Sequence, residues 1–85
     1  MTVWQRADGV AWTGNDQRVI AAATGVPDPS GPRVLYGAAA WVWIELAEPT
    51  SAEALVSRAG QERRADVVTA IDALRHAGLV TGSAA

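Results

Sequence analysis

The run from Leu35 to Ala47, Leu-Tyr-Gly-Ala-Ala-Ala-Trp-Val-Trp-Ile-Glu-Leu-Ala, constrains this chain more than any other stretch. It has no turn residue after Gly37 and holds two of the four tryptophans, so it reads as a buried helix. Ala39, Trp43, Leu46 and Ala47 recur at spacings of three and four, and Ala40 and Ile44 widen that stripe into a core-facing surface. Trp41 and Trp43 stand two positions apart and cannot share a helix face. Trp43 is therefore the core anchor, while Trp41 either covers a sheet or faces a partner. The chain ahead of this helix reads as strands, and the chain behind it as two helices joined by a turn.

From Thr2 to Thr13 the residues are β-prone and interrupted by Asp8-Gly9, a hairpin signal. A loop of Ala7-Asp8-Gly9 sets Trp4 opposite Trp12, whereas a loop of Asp8-Gly9 alone sends the two indoles to opposite faces. The first is favoured, because an aromatic cross-strand pair is worth up to ~1 kcal/mol. Gly14-Asn15-Asp16 then turns the chain into a short apolar strand, Arg18 to Ala23. The segment Gly25 to Pro32 carries three prolines and reads as a stiff connecting loop. Arg33 to Tyr36 forms the next strand and leads directly into the helix.

Glu48-Pro49 ends that helix, and Thr50-Ser51-Ala52-Glu53 has the form of a capping box in which Thr50 caps and Glu53 reaches back. A second helix from Ser51 to about Ala59 buries Leu55 and Val56 and stops at Gly60. The third covers Ala65 to Ala77, starting as early as Glu62, with Val67, Ile71 and Leu74 on its buried face and Val68 and Arg75 at the border. Gly78 supplies a left-handed stop on which Leu79 folds back. Leu79 to Thr81 adds a last short strand, and Gly82 to Ala85 reads as a frayed tail.

With 85 residues the chain suits one domain, 1–85, with a small aromatic-anchored core. It has no cysteine, and its single histidine, His76, needs carboxylate help to hold a metal, so neither metal nor cofactor is expected. No apolar run reaches the ~18 residues of a membrane helix, and no signal-peptide pattern opens the chain, so a cytoplasmic location without membrane contact is the expectation. The net charge is -2, and all seven cations are scattered arginines, a balance that leans against nucleic acid.

Thr50 to Val80, closing on Ala-Leu-Arg-His-Ala-Gly-Leu-Val, resembles the winged helix-turn-helix of bacterial regulators. The whole order is similar to something narrower. Short strands, then Val-Leu-Tyr-Gly-Ala-Ala-Ala-Trp-Val-Trp-Ile-Glu-Leu, then Thr50 to Val80, resembles the PqqD-like family, the recognition elements of ribosomally made and modified peptides, over roughly residues 10 to 80. Leu35, Ala38 and Ala39 keep that family's small-residue helix entry, and Val42-Trp43 with Leu46 its helix core. The family's asparagine and threonine before the helix are missing. Tyr36 and Gly37 stand near those places, so the helix relies on Gly37 as its cap, a loss of a few tenths of a kcal/mol.

The resemblance implies an α+β fold, a small N-terminal antiparallel three-stranded sheet followed by a three-helix winged helix-turn-helix. It also implies that the leader of a precursor peptide docks as an added strand and is presented to a separate maturation enzyme, a protease or a radical or ATP-dependent modifying enzyme. An edge strand supplies unpaired backbone groups for that purpose, and flanking side chains read the sequence. The implied contacts are Arg33, Val34, Leu35 and Tyr36 from the strand. From the third helix they are Arg64, Val67, Val68, Ile71, Asp72 and Arg75. A charge at Val68 or Ile71 should then weaken binding and leave the fold intact. The same free edge also offers a homodimer contact.

Each feature has a plainer reading. Trp4 and Trp12 suit a packing pair, His76 a dipole-favoured helix end, and Arg58, Arg63 and Arg64 a solvated patch or a guide for an acidic leader. On the third helix Arg63, Arg64 and Arg75 are cancelled by Glu62, Asp66 and Asp72, which suits a peptide better than a duplex. A DNA-binding regulator is the rival expectation. No phosphate loop, nucleophile elbow or acid-base pair is in view, so catalysis is not expected.

Overall fold

The computed structural model describes residues 2–23 and 31–84. Gly25 to Ser30, most of the proline-rich connection, lies outside them. Four strands come first, β1 (Thr2–Arg6), β2 (Val10–Gly14), β3 (Arg18–Ala23) and β4 (Arg33–Tyr36). Helix α1 (Ala38–Glu45) follows, then β5 (Thr50–Ser51), α2 (Ala52–Ala59), a 3-10 turn at Gln61–Arg63, α3 (Arg64–His76) and β6 (Val80–Ala84). The fold is α+β, with three helices and two three-stranded antiparallel sheets ordered β5-β1-β6 and β2-β3-β4. The strands are thus not gathered into one N-terminal sheet. No helix among the described residues is long and apolar enough to cross a membrane.

β1 and β2 do form on either side of the Asp8-Gly9 turn, but they do not pair with each other. A strand has two edges, and β5 and β6 take both edges of β1. Five consecutive pairs, from Thr2↔Ala84 to Arg6↔Val80, bind it to the C-terminal strand, and the Ala7 N–H extends the ladder onto the Leu79 carbonyl at 2.9 Å. Trp4 is therefore opposite Thr50 and Gly82, and Trp12 opposite Ala21. The expected Trp4–Trp12 pair does not exist. The same pairing makes Gly82 to Ala84 part of a strand and not a frayed tail.

The real hairpin joins β2 to β3. Asn15 closes it, its Oδ1 accepting from the backbone N–H groups of Gln17 and Arg18 at 2.9 and 3.1 Å. Val19 and Ala21 face the core, while Ile20, Val34 and Tyr36 share the opposite, exposed face. β4 and β2 are the outer strands of this sheet.

α1 starts at Ala38, because Leu35 and Tyr36 are still strand, and Gly37 caps it with φ 56° and no side-chain hydrogen bond. The stripe buries Ala40, Val42, Trp43 and Leu46, and Ala47 is exposed, since the helix has ended before it. In α2 the cap is Ser51, whose Oγ accepts from the Ala54 N–H at 3.2 Å. Thr50 is held in β5, buried, donating its hydroxyl to the Glu48 carbonyl at 2.8 Å, so it cannot cap, and no capping box forms. α3 buries Val67, Ala70, Ile71 and Leu74 and stops at Gly78, φ 75°, with the Leu79 N–H returning to the Leu74 carbonyl at 3.0 Å.

Arg6 ties β1 to the end of α1. The Ala47 N–H bonds to the Ile44 carbonyl, three residues back, which leaves the Trp43 carbonyl without a helical donor. Arg6 fills the vacancy, donating Nε and Nη2 to the Trp43 carbonyl at 3.0 and 2.7 Å and Nη2 to the Ile44 carbonyl at 3.3 Å. Its guanidinium lies 4.7 Å from the Trp12 ring centre and 4.9 Å from that of Trp43, and the two rings meet edge to face at 6.1 Å. Burial lowers the Arg6 pKa from its ordinary value, without removing the charge. Replacing Arg6 by methionine should cost about 2–3 kcal/mol, because a carbonyl at a covered helix end loses a charged donor. Trp12→Leu removes only the outer ring and should cost about 1 kcal/mol. Urea denaturation of both variants checks the order.

Candidate functional site

α3 presents one flank to solvent beside the sheet formed by β5, β1 and β6. On it Val68 is 50% exposed, whereas Val67, one residue earlier, is 1% exposed and belongs to the core. Between this flank and β1 lies an open cavity of about 400 Å³. Its helix side is Val68, Thr69, Ile71, Asp72 and Arg75, and its other side is Trp4 with Ala52. Most of that surface is apolar. A second cavity, about 280 Å³, continues past Trp4 and Arg75 along Thr2, Gly82, Ser83 and Ala84.

Trp4 reaches this position because of Gly82. A Cβ on Gly82 would stand 2.8 Å from Cζ3 of the Trp4 ring and 3.0 Å from Thr2 Cγ2, so only a residue without a side chain lets the indole lie across the β6 backbone. Trp4 is half-buried there and forms the floor shared by both cavities.

The charged rim is small and internally paired. Arg75 Nη2 donates to Asp72 Oδ1 at 3.0 Å, and His76 Nδ1 sits 2.8 Å from the Asp72 carbonyl and 3.5 Å from its Oδ2. The Arg75 hydrogen bond is the main reason the Asp72 carboxyl titrates below its ordinary value. Partial desolvation opposes that shift, and the charges of His76 and Arg75 add to it.

Of the residues implied on α3, Val68, Ile71, Asp72 and Arg75 line the cavity. Val67 is buried in the core and does not line it, and Arg64 points elsewhere, to Gln61 at 3.1 Å and Glu53 at 3.4 Å. Arg33, Val34, Leu35 and Tyr36 lie on β4, an outer strand of the other sheet, and none of them lines this cavity. Trp4 stands across this cavity from α3, and Gly82, beneath its ring, lines the second. Neither could be found from local sequence, because both arrive through the pairing of β1 with β6.

A more polar hollow of about 570 Å³ lies at the start of α1, between Trp41, Arg58 and Arg63 on one side and Asp16 and Gln17 on the other. Trp41 is half-buried at its wall. Arg58 is paired with Glu45 at 2.9 Å, and among the described residues Arg63 has no carboxylate partner. Among the described residues no three metal-ligating side chains lie together.

Compared with family models, with curated proteins and with solved structures, the chain finds no match.

Two measurements check this geometry. Asp72, its pKa depressed on folding, contributes stability at neutral pH that is lost as pH falls through its folded value. Its carboxyl carbon should titrate below that of an unfolded-chain aspartate, and Arg75→Gln should move it up. Val68→Glu should leave the fold intact, within about 0.5 kcal/mol by thermal melting. Ile71 is only 5% exposed, so Ile71→Glu should destabilise by about 3 kcal/mol or more, contrary to the expectation that it leaves the fold intact.

Proposed function

We propose that this chain is a peptide-recognition domain that binds the leader region of a ribosomally made precursor and presents it to a separate maturation enzyme. The observation that carries this reading is the exposed Val68 set against Trp4 and Ile71 in a cavity beside an open sheet. Apolar pockets flanking free backbone edges are how extended peptides are read. The backbone supplies affinity, and alternate side chains supply specificity. Among the described residues the outer strands are β2, β4, β5 and β6, and such addition needs one of their open edges beside the cavity. On this reading the chain performs no chemistry itself and needs no cofactor. The free edges equally offer a homodimer contact.

Two helices joined by the turn at 60–63, followed by β6 and flanked by β5, also give the outline of a winged helix-turn-helix, which supports a rival reading as a DNA-binding regulator. The charges on α3 argue against it. Arg64 sits against Glu53 and Arg75 against Asp72, so the helix offers a phosphate backbone no net positive charge, and duplex affinity rests on the number of phosphates neutralised.

Amide shift titration separates the two. Leader peptides encoded beside the gene should shift the resonances of residues 67–75, and Val68→Glu should weaken them about tenfold or more with the circular dichroism unchanged. A response to duplex DNA alone, steeply lost with salt, would replace this reading with the regulator.

A further inference from the structure

On that peptide reading, we infer that the docking strand is β6 and that the ligand is an extended segment carrying an aliphatic residue and, two positions away, a carboxylate. The aliphatic side chain enters the cavity between Trp4, Val68 and Ile71, and the carboxylate meets Arg75.

Backbone alternation gives the first half of this inference. The Leu79 carbonyl accepts from Ala7, so Leu79, Thr81 and Ser83 direct their backbone groups at β1. Val80, Gly82 and Ala84 direct theirs to the other side, the outer edge of the sheet. Val80 is buried, whereas Gly82 and Ala84 are exposed and line the second cavity. Their N–H and C=O groups are the ones an added strand would use. β2, β4 and β5 also have outer edges, but none of their residues lines either cavity, whereas Gly82 and Ala84 of β6 line the second, which shares Trp4 and Arg75 with the apolar one.

The side chains give the second half. Thr2, Trp4, Gly82 and Ala84 lie on one face of the sheet by register, the face on which α3 packs. An added strand beside β6 sends every second side chain to that same face, about 7 Å apart. One of them reaches the Trp4 floor, where the surface is apolar. Its neighbour on that face reaches Arg75, which is shared by both cavities and gives one hydrogen bond, through Nη2, to Asp72. The remaining guanidinium N–H groups suit a carboxylate. A lysine or arginine at that place would face Arg75 and be rejected.

The test uses the whole chain and a defined probe, the acetylated and amidated octapeptide Thr-Thr-Leu-Thr-Glu-Thr-Thr-Thr, titrated to about 1 mM, where weak contacts register. Two control peptides carry serine for leucine and glutamine for glutamate. The expected result is movement of the Trp4 indole N–H, the Gly82 and Ala84 amides and the Val68 methyls, with each control weaker by about fivefold or more. Ala84→Pro removes one outward N–H without touching a bond to β1, and it should abolish the response while the Thr81 and Ser83 amides stay in place. A response confined to residues 33–36, or one indifferent to Ala84→Pro, overturns the β6 assignment and leaves the peptide reading standing. If neither the probe nor the leader peptides encoded beside the gene bind, both fall. A concentration-dependent dimer that Ala84→Pro dissolves would give the edge to a second copy of the chain, and would also overturn it.

Discussion

Everything in this fold depends on one arginine placed where a helix runs out of donors. α1 is eight residues long and has no basic residue in its last turn, so its terminal carbonyls have no cation of their own. Arg6 comes from β1, 37 residues earlier, to supply it, and Trp12 and Trp43 lie beside the guanidinium. A charged group survives at this half-buried position because its hydrogen bonds are made to backbone dipoles and two aromatic rings stand beside it. The cost of desolvating it appears as the lowered pKa of Arg6. The Trp43 indole N–H beside it is buried and among the described residues has no partner, which is the residual penalty of so aromatic a centre.

That contact fixes β1 against the helices, and β1 then organises the rest. With both its edges occupied, it joins the loop after α1 to the strand after α3, so that residues at the two ends of the chain become neighbours. The arrangement also frees β2, which pairs with β3 and carries Trp12 to the rim of the Arg6 site. The groove beside α3 is a by-product of the same placement. It exists because β1 delivers Trp4 and because Gly82 leaves room for the ring.

Much of the secondary structure is legible locally. Strands at Arg18–Ala23 and Arg33–Tyr36, the turn at Asn15, the reliance of α1 on Gly37, and the ends of α2 and α3 at Gly60 and Gly78 all follow from turn chemistry and periodicity within a few residues. Val67, Ile71 and Leu74 are readable as core for the same reason. The failures are all matters of competition. Asp8-Gly9 is a sound turn, yet a turn does not oblige its flanking strands to pair when other strands claim both edges. Thr50 is a good cap by type, but β5 claims it first, and Ser51 takes the role. On α3 the expected Val68, Ile71, Asp72 and Arg75 line the cavity, but the expected Val67 is turned into the core by the same helical period and Arg64 is turned to Gln61 and Glu53. Trp4 and Gly82 were not legible, since nothing near them in sequence points to α3.

The sequence by itself determined the three helices, the first four strands, the glycine stops of α2 and α3 and the core face of α3, because turns and amphipathic period act over a few residues. Only the tertiary structure decided which strands pair, that Arg6 would serve a helix 37 residues away, and that Trp4 would face α3. Strand pairing is a choice among edges that are chemically alike, since every backbone presents the same donors and acceptors. That choice is made by the burial of side chains and the satisfaction of exposed carbonyls across the whole chain, so it cannot be read from any one part of it.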